Sequence, residues 1–132
     1  MSYRVLIVDD SAVLRHMVKR ALVISGLDAD PVYEAGNGEE ALTILRDKWV
    51  DIVFADINMP VMSGAEMLAA MAREGMLATT PVVIVSSEHS EKRALEMKKL
   101  GARAFLLKPF RPETIRQVFG EILHPAKETK HE

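Results

Sequence analysis

The sequence has no cysteine, no long apolar run and almost no net charge, and each absence limits what the chain can be. Without cysteine it forms no disulfide and no thiolate metal site, which fits a reducing cytoplasm. No stretch is long enough to span a bilayer, and we expect no signal peptide at the start. A net charge of −2 over 132 residues gives no overall attraction to nucleic acid or membrane. We therefore expect a cytoplasmic protein that binds neither.

Five short apolar runs alternate with helical patterns along the chain. The runs are rich in Val, Ile, Leu or Phe and predict buried strands at residues 5–8, 32–35, 52–55, 82–85 and 104–107. A strand followed by a helix, five times over, predicts an α/β fold in which helices cover both faces of a parallel sheet. We expect one domain over residues 1–124, followed by a short polar tail over residues 125–132.

Three capping residues and one proline mark where four of the predicted helices begin. Asn37 and Ser90 each stand before a helical pattern, and Ser63 with Glu66 three places later forms a capping box. Pro112 suits the first turn of the last helix. These signals set the predicted helix starts independently of the apolar pattern.

Polar side chains stand where four of the five predicted strands end. Asp9 and Asp10 follow the first strand, Asp56 the third, Ser86 the fourth and Lys108 the fifth. In open parallel sheets the ligand site lies beyond the carboxyl ends of the strands, so we expect these groups to lie close together. Three carboxylates gathered there cannot all stay ionised without a cation, and oxygen ligands favour Mg²⁺. With Lys108 as a fixed positive charge, this set has the parts that phosphoryl transfer needs.

These residues resemble the receiver domain of bacterial two-component response regulators. The resemblance covers residues 4–123 and includes the acidic pair Asp9-Asp10, the hydroxyl of Ser86 and the Lys108-Pro109-Phe110 segment. The family pattern D-x-x-M-P-x-x-x-G is complete, from Asp56 to Gly64. We expect no output domain to follow, so the resemblance points to single-domain regulators of the chemotaxis type. The resemblance implies a flavodoxin-like (βα)5 fold, doubly wound, with strand order 2-1-3-4-5.

The resemblance also implies a role for each residue of the acidic cluster. Asp56 is the expected phosphoacceptor, which takes a phosphoryl group from a histidine of a partner kinase. Asp10 and Asp56, with the backbone carbonyl of Asn58, are the expected direct ligands of Mg²⁺, and Asp9 is expected to act through a metal-bound water. Asn58 and Glu88 are expected to tune how fast the phosphoryl group is lost.

The remaining roles implied by the resemblance concern the conformational switch. Lys108 is expected to contact the acyl phosphate and to precede a cis peptide bond at Pro109. Ser86 is expected to hydrogen-bond the phosphoryl group, and Phe105 to rotate into the space that Ser86 leaves. Many relatives have Thr and Tyr at these two positions, so a switch that uses a tyrosine hydroxyl is not available here.

The expected output is binding of a downstream protein on the face formed by the fourth helix, fifth strand and fifth helix. Basic residues are concentrated there, at Lys92, Arg93, Lys98, Lys99 and Arg103. We expect a monomer that is not an enzyme for a separate substrate, but catalyses its own phosphotransfer and its own dephosphorylation. An intermediate of a phosphorelay, or a regulator outside chemotaxis, is the alternative within this family.

Two alternatives come from other classes of protein. Phosphatases of the haloacid dehalogenase type also use aspartates, a hydroxyl, a lysine and Mg²⁺. Their second catalytic aspartate corresponds to Asn58, however, which cannot transfer a proton. A flavodoxin-like cofactor binder needs a loop that accepts phosphate after the first strand, where Asp9 and Asp10 would repel it.

Overall fold

Five parallel strands form one sheet in the order β2-β1-β3-β4-β5, which confirms the predicted fold and strand order. The computed structural model describes residues 2–123, and the predicted polar tail, residues 125–132, lies outside the described residues. The strands and helices are β1 (Tyr3–Val8), α1 (Ala12–Ile24), β2 (Ala29–Ala35), α2 (Gly38–Asp47), β3 (Ile52–Ala55), α3 (Gly64–Arg73), β4 (Val82–Ser86), α4 (Glu91–Leu100), β5 (Ala104–Leu107) and α5 (Pro112–Leu123). A short 3-10 turn, Met76–Ala78, precedes β4.

The core lies on both faces of the sheet because successive side chains of a strand point in opposite directions. In β1, Val5 and Ile7 join an apolar cluster with α1 and α5, whereas Leu6 and Val8 join a cluster with α2, α3 and α4. This alternation confirms that helices cover both faces of the sheet. Among residues 2–123, no helix combines the length and apolar character needed to cross a membrane.

Three strands are longer than the apolar runs that predicted them. β1 begins at Tyr3, and β2 begins at Ala29 and contains a cis peptide bond between Asp30 and Pro31. Within the described sheet β2 pairs with β1 alone, and an edge strand tolerates proline because one side of its backbone needs no partner strand. β4 continues through Ser86, so this hydroxyl belongs to the strand itself.

The predicted helix caps are confirmed. Asn37, Ser63 and Ser90 each accept a hydrogen bond from a backbone N–H in the first helical turn, and Ser63 and Glu66 form the complete capping box. Ser11 caps α1 in the same way. Helices begin within five residues of the ends of β1, β2, β4 and β5, so only the loop between β3 and α3 is longer at this edge of the sheet.

The loop between β3 and α3 is held tightly against the end of β3. The backbone N–H of Gly64 donates to the carbonyl of Ile57 at 2.7 Å, and a Cβ at Gly64 would lie 2.4 Å from the carbonyl oxygen of Asp56. Only glycine allows this approach. Within the loop, Val61 has a positive φ of 67°, and the N–H of Met62 donates to the carbonyl of Pro60 at 2.6 Å.

Replacing Val61 by asparagine should stabilise the protein. A β-branched side chain is unfavourable at positive φ, and the bond from Met62 to Pro60 makes Val61 the central residue of a γ-turn of the rare, strained kind. Strained backbone of this kind costs about 1–3 kcal/mol. Asparagine tolerates this conformation, and Val61 is 74% exposed, so little burial is lost. We expect the free energy of unfolding, measured by urea denaturation, to rise by about 1 kcal/mol.

Val13→Asn is the matched control for this change. Val13 is similarly exposed but lies in α1, where the backbone is helical. It should leave stability within about 0.5 kcal/mol of the starting protein, as is usual for surface substitutions. Equal effects of the two substitutions would show that the backbone at Val61 stores no strain.

Candidate functional site

Parallel pairing brings the ends of four strands to one edge of the sheet. Val8 and Ala55 are paired across β1 and β3, so the residues that follow them, Asp9 and Asp56, are neighbours. The N–H of Asp56 donates to the carbonyl of Val8 at 2.9 Å. On the other side, the N–H of Lys108 donates to the carbonyl of Ser86 at 2.8 Å. The strand ends therefore bring the acidic pair, Asp56, Ser86 and Lys108 to the same edge.

Three carboxylates form the centre of this edge. One carboxylate oxygen from each of Asp9, Asp10 and Asp56 lies within 4.8 Å of the other two. Asp9 is buried, Asp56 is partly buried and Asp10 is exposed, so the cluster extends from the sheet to solvent. Carboxylate oxygens are the ligands that hard divalent cations such as Mg²⁺ and Ca²⁺ prefer. The cluster could thus hold a metal ion, as the sequence predicted.

Asp9 and Asp10 have different surroundings. One oxygen of Asp9 accepts a hydrogen bond from the N–H of Ser11 at 2.9 Å, and the other lies 3.5 Å from Nζ of Lys108. Within the described residues, the Asp10 side chain has no hydrogen bond or ion pair. Asp10 is therefore free to bind a cation directly, whereas Asp9 already has protein partners. This difference fits the predicted roles of Asp10 as a direct ligand of Mg²⁺ and of Asp9 as acting through a metal-bound water, and these roles stay predictions.

Burial raises the pKa of the Asp56 carboxyl above its ordinary value. The neighbouring charges of Asp9 and Asp10 raise this pKa further, while the N–H of Ile57 and the charge of Lys108 oppose the shift. The N–H of Ile57 donates to Oδ1 of Asp56 at 2.8 Å and so orients the carboxylate. An added cation at the cluster would favour the ionised form of Asp56, which is the nucleophilic form.

Lys108 lies at the end of β5, and the predicted cis peptide bond to Pro109 is confirmed. The lysine side chain is 19% exposed, and its Nζ lies 3.5 Å from the Asp9 carboxylate. A carboxylate nucleophile beside a cation site and an ammonium group can accept a phosphoryl group, because that reaction requires positioning and neutralisation of charge.

Ser86 and Phe105 lie on the neighbouring strands β4 and β5. The Ser86 side chain is buried, and its Oγ accepts a hydrogen bond from the N–H of Glu88 at 3.0 Å. A hydroxyl has one hydrogen to donate, so Ser86 can still donate to another group. Phe105 pairs with Ile84 across the sheet and is partly buried against the core. It also lines a cavity of about 300 Å³ together with His89, Ser90, Glu91, Ala94 and Leu107.

Asn58 and Glu88 are both exposed, in the loops that follow β3 and β4 respectively. The Glu88 carboxylate lies 3.4 Å from Nε of Arg93, which also contacts Glu96 at 3.2 Å. The predicted effect of Asn58 and Glu88 on dephosphorylation stays a prediction. The contact between Glu88 and Arg93 could not be predicted from their spacing in the sequence, because it depends on where the loop after β4 ends and α4 begins.

Sequence reasoning also missed Arg15, which contacts the acidic pair from α1. One guanidinium nitrogen donates to the carbonyl oxygen of Asp9 at 2.6 Å, and another donates to the carboxylate of Glu34 on β2 at 2.8 Å. The hydrogen bond from Arg15 to Glu34 is the main reason why the pKa of Glu34 is below its ordinary value. A basic residue in the first turns of α1 has no distinctive sequence signal.

The chain belongs to the response regulator receiver domain family, whose profile matches residues 5–119. Among similar proteins is the chemotaxis protein CheY of Bacillus subtilis, 31% identical over 124 residues that make up 94% of this chain and 100% of the relative. This confirms the predicted resemblance to chemotaxis-type receivers and favours it over the phosphatase and the cofactor binder.

Two solved structures show the same fold. The chemotaxis response regulator CheY4 of Vibrio cholerae has a TM-score of 0.80 and 34% identity, and the match covers 92% of this chain and 99% of that chain. The CheX–CheY–BeF3–Mg²⁺ complex from Borrelia burgdorferi also contains a similar chain. It has a TM-score of 0.80 and 27% identity, with 92% of this chain and 89% of that chain covered.

Proposed function

We propose that the protein is a response regulator that accepts a phosphoryl group on Asp56 from a phosphohistidine of a partner kinase, with Mg²⁺ bound at the acidic cluster. The observation that carries this proposal is the convergence of the Asp9, Asp10 and Asp56 oxygens within 4.8 Å, beside Lys108. Membership of the receiver family supports it. The cytoplasmic location and the monomeric state expected from the sequence are parts of the same proposal.

In the proposed reaction a carboxylate oxygen of Asp56 attacks phosphorus. The bond between phosphorus and the donor histidine nitrogen breaks, and its electron pair stays on that nitrogen. The N–H of Ile57 orients the carboxylate. Asp10, Asp56 and the Asn58 carbonyl would hold Mg²⁺, with Asp9 acting through water. The ion, when bound, supplies positive charge to the phosphoryl oxygens and carboxylates. The protein catalyses its own modification and turns over no separate substrate.

The charge of Lys108 and the hydroxyl of Ser86 link phosphorylation to a change of shape. Lys108 is paired with Asp9 and would turn toward a phosphoryl oxygen, since that oxygen adds negative charge beside it. Ser86 would donate its hydroxyl hydrogen to the same group, which draws the loop after β4 inward. Phe105 would then fill the space that Ser86 leaves. Phosphorylation thereby favours one of two conformations of this element.

The α4-β5-α5 face is the proposed surface for the downstream partner. Lys92, Lys98, Lys99 and Arg103 are exposed there, and so are the apolar side chains of Leu95 and Leu107. A surface that mixes positive charge with apolar groups suits an acidic, amphipathic segment of a protein. In Borrelia burgdorferi, a similar chain is found in a complex with CheX.

Chemotaxis is the proposed pathway, because similar proteins of several bacteria are named chemotaxis protein CheY or its homologue. An intermediate of a phosphorelay or a regulator of another pathway is the alternative. A phosphoryl group that lasts for hours would favour that alternative, because a chemotaxis signal has to be erased quickly.

Substituting Asp56 should abolish phosphorylation. With Mg²⁺ and acetyl phosphate, the protein should gain one phosphoryl group by intact mass, and chelation of the metal should prevent this. Asp56→Asn should gain none, because an amide is not a nucleophile toward phosphorus. Asp47→Asn, which changes an exposed aspartate on α2, should be labelled normally. Undiminished labelling of Asp56→Asn would contradict the proposed phosphoacceptor.

Apolar residues at positions 58 and 88 should prolong the life of the acyl phosphate. Asn58 and Glu88 are exposed polar residues that can hydrogen-bond a water in line with phosphorus and so reduce the entropy lost on attack. We expect decay within seconds to minutes, and severalfold slower decay in Asn58→Leu and Glu88→Leu. Decay is followed by loss of radiolabel after the donor is removed.

Glu121→Leu, an exposed change on α5, is the control for these two variants and should decay at the unmodified rate. If Asn58→Leu and Glu88→Leu also decayed at that rate, neither side chain would tune the reaction.

Reversing charge on α4 should remove partner binding. The two exposed lysines Lys92 and Lys99 add positive charge to the proposed surface, so Lys92→Glu with Lys99→Glu should repel an acidic partner. In a pull-down, protein treated with beryllofluoride and Mg²⁺ should retain a partner that untreated protein does not. The double variant should lose it, whereas Lys48→Glu, at the end of α2, should keep it. Retention by the double variant would place the interface on another face.

A further inference from the structure

The side chain of Arg15 joins the metal-binding edge of the sheet to its outer strand. It is only 19% exposed, and its guanidinium donates to the carbonyl oxygen of Asp9 at 2.6 Å and to Oε1 of Glu34 at 2.8 Å. Lys19 contacts the second oxygen of Glu34 at 3.3 Å. Hydrogen bonds that involve ionised groups are short and strong, and both contacts of the guanidinium are of this type.

The carbonyl that Arg15 holds belongs to the peptide group between Asp9 and Asp10. Because a peptide group is planar, fixing this oxygen also fixes the direction in which the chain leaves toward Asp10. The Asp10 side chain has no hydrogen bond to another described residue, so its position depends on the backbone. On the other side of the same turn, the N–H of Ser11 donates to Oδ1 of Asp9.

We propose that Arg15 is a positioning residue for the metal site, and that Glu34 orients it. Arg15 holds the Asp9–Asp10 peptide so that both carboxylates face Asp56, without touching the ion or the phosphoryl group. This inference depends on the proposed function, in that it assumes Mg²⁺ binding at the cluster of Asp9, Asp10 and Asp56.

Charge and position make opposite predictions for the removal of Arg15. A cation close to a metal site repels the metal, so on charge alone Arg15→Ala should tighten Mg²⁺ binding. If Arg15 positions the ligands, the same change should weaken binding. Glu34→Gln also separates the effect of charge on Mg²⁺ binding from the effect of ligand position. It removes a negative charge, which would weaken binding, but it keeps an oxygen that can accept from Arg15.

The test is calorimetric titration of the metal-free full chain with Mg²⁺. Arg15→Ala should weaken binding roughly tenfold, the lower end of what loss of an outer partner of a metal ligand costs. Arg15→Lys should weaken it less, since an ammonium can reach one acceptor but lacks the planar fork that joins both. Glu34→Gln should bind within about twofold of the unmodified protein, because the acceptor for Arg15 remains.

Arg46→Ala is the matched control, because Arg46 makes a similar double contact with Glu74 at 2.9 and 2.6 Å, between α2 and α3. It should lower thermal stability without changing Mg²⁺ affinity. If Arg15→Ala does not fold, the Mg²⁺ affinity of Arg15→Lys tests whether Arg15 positions the metal ligands.

Tighter or unchanged Mg²⁺ binding in the folded Arg15 variants would overturn the proposal, and so would equal weakening by Arg46→Ala. If the unmodified protein did not bind Mg²⁺, the proposed function itself would fail, which is a different outcome from these.

Discussion

Three carboxylates crowd against one lysine at the carboxyl edge of the sheet, and the site depends on this excess of negative charge. The sheet imposes it, since the pairing of Val8 with Ala55 makes Asp9 and Asp56 neighbours. Burial and the adjacent charges raise the pKa of Asp56, and Lys108 compensates only part of the excess. A hard divalent cation would remove the remainder, and a phosphoryl group would then meet a carboxylate, an ammonium and a metal together.

The same edge is connected to the surface through short contacts. Ser86 ends β4, accepts from the N–H of Glu88, and is followed within four residues by Ser90, which caps α4. A movement of the Ser86 hydroxyl toward a phosphoryl group would therefore be transmitted to α4 through this loop. Phe105 lies on the adjacent strand and borders the cavity beside the loop. In our proposal the charge added at Asp56 acts on the downstream partner through these residues.

Much of the fold follows from local patterns, because buried strands and capped helices have clear sequence signals. The convergence of Asp9, Asp10 and Asp56 was predictable as well, since parallel strands end at one edge. Other features have no local signal. The start of β2 was missed because Pro31 is atypical of strands, and the positive φ of Val61 was missed because β-branched residues avoid it. The contacts of Arg15 and Arg93 depend on how α1 and α4 pack, which the chain does not encode at short range.

The most direct test of the central claim is the pKa of the Asp56 carboxyl, measured by carbon-13 NMR with and without Mg²⁺. Without metal, the burial of Asp56, together with the neighbouring charges of Asp9 and Asp10, should hold this pKa above the ordinary value for aspartate. Saturating Mg²⁺ should lower it, because the cation stabilises the ionised form. An ordinary pKa in the metal-free protein, unchanged by Mg²⁺, would contradict the account, since the carboxylates would then need no cation.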